Sequence, residues 1–290
     1  TMNNKFYQVI AVTVFSAFAQ MSNAENYSSE FSASYLTADI DAEGQSSDVV
    51  QVGISQQVFF SEVDTSVGPL GKAAFISRAS SYTLGYSVID GEADTDIANV
   101  AIDWRDNDTG LTLGLDYSFT DTTSGTAISD DFSASVGLYV AETTEISVQY
   151  SRNKYKGFEG DEETLALLIS HVVTGDVAFA IDGSVSMGES ISHLDPGDLG
   201  LSITDIESSE DVFKDEDIFG LAFKAALYPT PNFGMGVGFD VSLAEDDDDK
   251  VFAFAEWFFK SDLKAAVTYS LSDRDNINTN AFILDVSFRL

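Results

Sequence analysis

The chain has no cysteine, and its 290 residues include only four prolines, two histidines and two tryptophans. Without cysteine there is no disulfide framework and no thiolate metal site, which suits a chain exported to an oxidising compartment. The two histidines, His171 and His193, are not paired at ligand spacing, so no zinc site is expected, and nothing implies a cofactor. Basic residues are also scarce: 14 Lys and Arg face 48 Asp and Glu, for a formal charge of −34. A nucleic-acid binder needs a basic surface for phosphate contacts, so that class is excluded. Intrinsic disorder is excluded by 44% hydrophobic and 12% aromatic content. Long apolar runs are missing as well. The one candidate, Phe6 to Ala19, is shorter than the ~20 residues of a spanning helix.

That run carries Lys5 in front of it and Ser22-Asn23-Ala24 behind it. This is the pattern of a secretory signal peptide over residues 1–24, with cleavage expected after Ala24. Its removal takes Lys5 and no acid, so the mature charge becomes −34 − 1 = −35.

The remainder is dominated by alternation of apolar and polar residues, the period of a β-strand with two unlike faces. The clearest case is Leu111 to Thr120, with Leu111, Leu113, Leu115, Tyr117 and Phe119 opposed to Thr112, Gly114, Asp116 and Ser118. Another is Ala281 to Leu290, where Phe282, Leu284, Val286, Phe288 and Leu290 share a face. About fourteen such segments are legible: Tyr27–Thr37, Val49–Phe60, Tyr82–Ile89, Ile97–Arg105, Leu111–Thr120, Phe132–Ala141, Glu145–Tyr155, Thr164–Val173, Val177–Gly188, Ile218–Leu227, Phe233–Ala244, Val251–Phe259, Leu263–Ser272 and Ala281–Leu290. Twelve or sixteen strands also fit.

The links alternate too. Asp90–Asp96, Asp121–Asp131, Lys156–Glu163, Glu189–Asp215, Glu245–Lys250 and Asp273–Asn280 are acidic and mostly long, and the intervening links are short apart from the first, Phe59 to Ser80. Short turns on one side and long loops on the other are expected of a transmembrane antiparallel up-and-down β-barrel, with both termini on the periplasmic side. The charges agree. Asp103, Asp116, Asp182, Lys224, Asp240, Lys264 and Asp285 fall on the polar faces, whereas a Lys or Arg on the lipid face costs about 2–4 kcal/mol at mid-membrane. Tyr27, Tyr82, Trp104, Tyr117 and Tyr150 lie toward strand ends, where aromatic girdles belong. Val251–Phe259 is apolar on both faces except at Glu256. The fold expected is therefore all-β, one barrel over residues 25–290.

The final strand, with apolar Leu290 and Phe288 two positions before it, resembles the C-terminal strand of Gram-negative outer-membrane barrels. The segment Phe59 to Ser80, F-F-S-E-V-D-T-S-V-G-P-L-G-K-A-A-F-I-S-R-A-S, resembles one that follows the second strand in a general porin family of these bacteria. The resemblance implies outer-membrane localisation, contact with lipid and lipopolysaccharide, and recognition of Phe288 and Leu290 by the barrel-assembly machinery. Within the segment, Pro69 to Ala79 reads either as a short helix with Leu70, Ala73, Ala74 and Ile76 toward the wall or as an ordinary periplasmic loop. Lys72 and Arg78 make that end of the pore less negative.

Catalysis has little support. There is no G-x-S-x-G element, and Ser170 and His171, as neighbours in a strand, point to opposite faces. Asp246–Asp249 and Ser208–Asp217 are acidic enough to attract calcium but lack the glycine and glutamate positions of an EF-hand, so solvated loops are the simpler reading. The expected pore-lining residues are Asp103, Asp116, Asp182, Lys224, Asp240, Glu256, Lys264, Asp285 and Arg289. Acids exceed bases among them, which favours cations. Glycine-rich inner positions, Gly234, Gly236 and Gly238, are expected to leave room for water. Glu189–Asp215, with apolar Leu199, Leu201, Ile203 and Ile206, either folds inward or forms an outer hairpin. The function expected is a passive, weakly cation-selective porin for small hydrophilic solutes and ions; the alternative is a non-conducting barrel that displays acidic extracellular loops for adhesion, lipopolysaccharide contact or a receptor role. Monomer and homotrimer are both compatible with the sequence.

Overall fold

Alternation that leaves one face apolar and one polar specifies register strongly, because a slip of one residue would turn every side chain to the wrong solvent. A computed structural model of the chain describes residues 26–42, 45–90, 94–122, 128–155, 161–191, 215–242, 248–274 and 277–290. Its strands are β1 Asn26–Ala42, β2 Gln45–Asp64, β3 Ser81–Asp90, β4 Thr95–Arg105, β5 Leu111–Thr122, β6 Ile128–Ala141 and β7 Thr144–Tyr155. The second half supplies β8 Asp161–Val173, β9 Ala178–Ile191, β10 Asp215–Thr230, β11 Phe233–Ser242, β12 Asp248–Lys260, β13 Leu263–Arg274 and β14 Ile277–Arg289. Each strand pairs antiparallel with its sequence neighbours, and β14 pairs with β1 to close a fourteen-stranded barrel. Closure removes every free sheet edge, as a hydrocarbon environment requires.

The seam is fixed by the last residue. The Ser28 and Ser29 amides donate to the Leu290 carbonyl at 2.7 and 3.0 Å, and the Leu290 amide donates to Ser29 at 2.8 Å. Outward positions carry exposed apolar residues all round, among them Leu84, Leu115, Val136, Leu167, Val237 and Leu284. Near the termini the outer aromatics form one girdle: Trp257 and Phe259 stack at 5.6 Å, and Phe60 packs on Tyr82 at 6.1 Å. Toward the other end, Tyr86 and Tyr117 donate their hydroxyls to Asp96 and Asp130 at 2.7 and 2.8 Å.

Three expectations need correction. The strands run on beyond the alternating segments, so the acidic link Asp273–Asn280 is largely ladder: Asp273 pairs with Asn278. Beyond the bilayer both faces meet water, and alternation no longer marks the strand. Tyr27 does not belong to the outer girdle. A register shift between Tyr27 and Ser29 turns its ring inward, where it is 3% exposed and packs edge-on against Phe59 at 5.4 Å. The helix in the β2–β3 link is shorter than Pro69–Ala79: a 3₁₀ turn spans Leu70–Lys72, and α1 covers only Ala73–Ile76.

The signal peptide, residues 192–214 of the Glu189–Asp215 loop, His193, most of the Ser208–Asp217 run, and Asp246 and Asp247 lie outside the described residues.

Candidate functional site: a strap across the bore

The β2–β3 link, residues 65–80, leaves the wall and enters the barrel. Its base is held by an apolar cluster in which Ala73 and Ala79 pack with Tyr27, Phe59 and Val63, all buried. Its other side, Phe75 and Ile76, packs on a second buried cluster of Val172, Ala178, Ala180, Ala226 and Tyr228 from β8, β9 and β10. In a closed ring of fourteen strands the position opposite the β2–β3 junction lies seven strands on, between β9 and β10. The link therefore spans the bore along a diameter, as a strap.

Polar contacts fix both of its ends. The Lys72 ammonium donates to Asp182 Oδ2 at 2.9 Å on β9, and the Leu70 amide donates to the Pro231 carbonyl at 2.9 Å in the β10–β11 turn. Gly71 lies against Glu256 of β12 so closely that an added Cβ would fall 2.0 Å from its Oε1. On the near side, α1 ends in a reverse turn in which the Ala79 amide donates to the Ala74 carbonyl at 3.1 Å. Arg78 occupies the left-handed position of that turn, at φ 50°, where glycine is usual. Its guanidinium donates to the Ala141 and Glu142 carbonyls at 3.3 and 3.2 Å and lies 4.3 Å from the centre of the Tyr139 ring. The Tyr139 hydroxyl donates to the Phe75 carbonyl at 3.1 Å, and Arg105 Nη1 donates to the Ala79 carbonyl at 3.1 Å.

By register, Asp103, Asp116, Asp182, Lys224, Asp240, Glu256, Lys264, Asp285 and Arg289 all project from inward-facing positions. The structure brings some of them together. Asp182 and Lys224 are direct cross-strand partners beneath Lys72. Lys264 and Arg289 converge on Glu30, with Nζ–Oε1 3.4 Å and Nε–Oε2 2.8 Å, and the Arg289 guanidinium lies 4.4 Å from the Tyr27 ring and 4.6 Å from the Phe258 ring. Asp103 and Asp116 stand apart from these networks on β4 and β5, and among the described residues neither forms an ion pair. Glu30 and Tyr139 are site residues that sequence reading missed, and Arg78 is read there only for its charge. The capacity of Arg78 to cap a helix carried no signal, because a left-handed arginine is not predictable from residue type.

The inner glycines also behave differently from expectation. Cβ atoms added at Gly234, Gly236 and Gly238 would fall 2.4, 2.5 and 2.3 Å from ring atoms of Tyr228, Phe254 and Phe252. Aromatic rings, rather than water, fill the space the glycines leave.

A closed antiparallel barrel with an apolar outer belt, two aromatic girdles and a charged interior defines a transmembrane protein of the bacterial outer membrane. The sequence pattern of the family described as "Putative general bacterial porin" matches residues 5–290, and the chain belongs to that family. The structure is similar to that of the outer-membrane protein Omp33 of Acinetobacter baumannii, with TM-score 0.59 and 16% identity over 92% of this chain and 99% of that one. It is also similar to a TodX deltaS2S3 mutant described as a monoaromatic hydrocarbon channel, with TM-score 0.54 and 11% identity over 94% and 92% of the two chains. A third likeness, described as a bacterial polysaccharide outer membrane secretin, has TM-score 0.53 and 12% identity over 92% and 99%. At these identities the likeness shows the fold alone. No curated protein matches the sequence.

Proposed function

We propose that this outer-membrane porin is a passive channel for small hydrophilic solutes and ions, weakly selective for cations, and that the strap holds it closed at rest. The observation that carries the reading is the diametric strap: two apolar clusters and one ion pair hold it across an otherwise charged bore. Cation preference rests on the inward carboxylates that form no ion pair among the described residues, Asp103, Asp116, Glu256 and Asp285, together with the formal charge of −34. Glu30, shared by Lys264 and Arg289, and Asp182, paired with Lys72, offset part of the opposing field of these cations.

In this reading residues 1–24 are a signal peptide cleaved after Ala24, so that mature residues 25–290 form the barrel. Phe288 and Leu290 present the last strand to the assembly machinery, lipopolysaccharide surrounds the outer rim, and the protein acts without catalysis as a monomer or homotrimer. The strap also favours the second reading, a non-conducting barrel displaying its acidic loops.

Single-channel recording separates the two. The mature chain should show rare openings, made frequent by Lys72→Met, with a cation-selective reversal potential in a KCl gradient. Silence from folded, inserted wild type and variant alike would leave only the display reading.

A further inference from the structure

One strip of the inner wall is apolar where a water-filled bore calls for polar side chains. Phe252 and Phe254 of β12 face the bore with Leu36 of β1 and Ile283 of β14, each of them half-buried. The strip crosses the ladder with the small hydroxyl residues of β13 between its apolar members: Leu36 pairs with Ile283, Ile283 with Thr268, and Thr268 with Phe254. One level farther from the termini, Ala38, Ala281, Ser270 and Phe252 pair in the same order. Gly236 and Gly238 let the two phenyl rings lie against the wall. Toward the distal rim the strip meets a cluster of Ile40, Val49 and Ile89 packed with Ile97 and Ile277. Toward the termini, Phe254 packs on the same cluster as Phe75 and Ile76 of the strap. An apolar path thus joins the distal rim to the strap. Surface of this kind in contact with water is unfavourable, and a wall that served only water and ions would gain nothing from it.

Charge narrows the class of solute. The Lys224 ammonium lies 4.5 Å from the centre of the Phe254 ring and disfavours a cation there. Glu256 and Asp285, two residues from Phe254 and Ile283 on the same inward face, disfavour an anion. We infer that the strip binds small uncharged molecules with an apolar face, monocyclic aromatic alcohols being the class, and leads them to the strap. The inference rests on the channel reading for its purpose, but not for the binding itself.

Phenol, uncharged at neutral pH, is the probe, titrated calorimetrically into the full chain in lipid nanodiscs with empty discs subtracted. A saturable component is expected, at least tenfold weaker in the Phe252→Ala/Ile283→Thr double variant and unchanged in the lipid-facing Leu115→Ala. Heat-dependent gel mobility checks that each variant is folded. The inference is overturned by the absence of a saturable component, or by one that the double variant retains. Benzoate binding as tightly as phenol, and losing that binding on Lys224→Met, would overturn the uncharged class. Phenol binding to a protein that never conducts would sink the channel reading and leave the strip. Conductance without phenol binding would sink the strip alone.

Discussion

Arg78 shows what a single residue contributes to the seating of the strap. Holding an L-residue in the left-handed region costs about 1–2 kcal/mol, and glycine would remove that cost. The arginine is retained where its guanidinium reaches two turn carbonyls and the Tyr139 ring. Arg78→Gly should therefore relax the backbone yet release the near side of the strap. Frequent openings are expected in single-channel records, with no loss of thermal stability; a variant as closed as wild type would assign the arginine no clamping role. Asp106 acts on a turn in a similar way. It accepts hydrogen bonds from the Thr109 hydroxyl at 2.5 Å and the Asp108 amide at 3.2 Å, and these contacts hold its carboxyl below the usual range. A carboxylate depressed in the folded state stabilises above its unfolded pKa of about 3.9, and that contribution is lost as pH falls through the folded value. Protection of the Gly110 amide, whose N–H donates to the Asp106 carbonyl, relative to its intrinsic exchange rate should fall below about pH 4, and Asp106→Asn should flatten that response.

Among the elements, the strap has an unequal pair of attachments. Near its base it is covalently part of the wall and buried against Tyr27, Phe59 and Val63. Its far side depends on Phe75, Ile76 and the half-buried Lys72–Asp182 pair. An ion pair of this exposure contributes about 1 kcal/mol, so breaking it should raise the open fraction roughly fivefold. Lys72→Met and Asp182→Asn should each do so, whereas the double variant should add little beyond either. Additive effects would show that the two residues act separately.

The strands themselves were legible in the sequence, because lipid on one face and water on the other impose a period of two over eight to twelve residues. Their outer ends were not legible, since water on both faces leaves no pattern there. The inward position of the charged residues followed from the same period, but their pairing did not. Glu30 joins Lys264 and Arg289 only because β14 closes onto β1, and no local pattern announces that contact. The strap was visible as an unusually long link, and its diametric course was invisible because its seats lie more than a hundred residues away.

For the whole molecule, the proposed selectivity follows from the lumen charges that remain after pairing, Asp103 and Asp116 among them. Asp103→Asn/Asp116→Asn should move the reversal potential toward zero in a KCl gradient while leaving unitary conductance nearly unchanged. A reversal potential unmoved by the pair would transfer the preference to the acidic rim.

The strap also constrains the order in which the chain is built. Its own residues precede Tyr82, but Asp182, Pro231 and Glu256, the groups that receive it, are synthesised long afterwards. Docking must therefore wait until β9 to β12 are in place. Until then the apolar faces of Phe75 and Ile76 have no partner, in a compartment rich in unfolded chains. In the proposed channel, obstruction of the bore therefore follows formation of the strands that receive the strap.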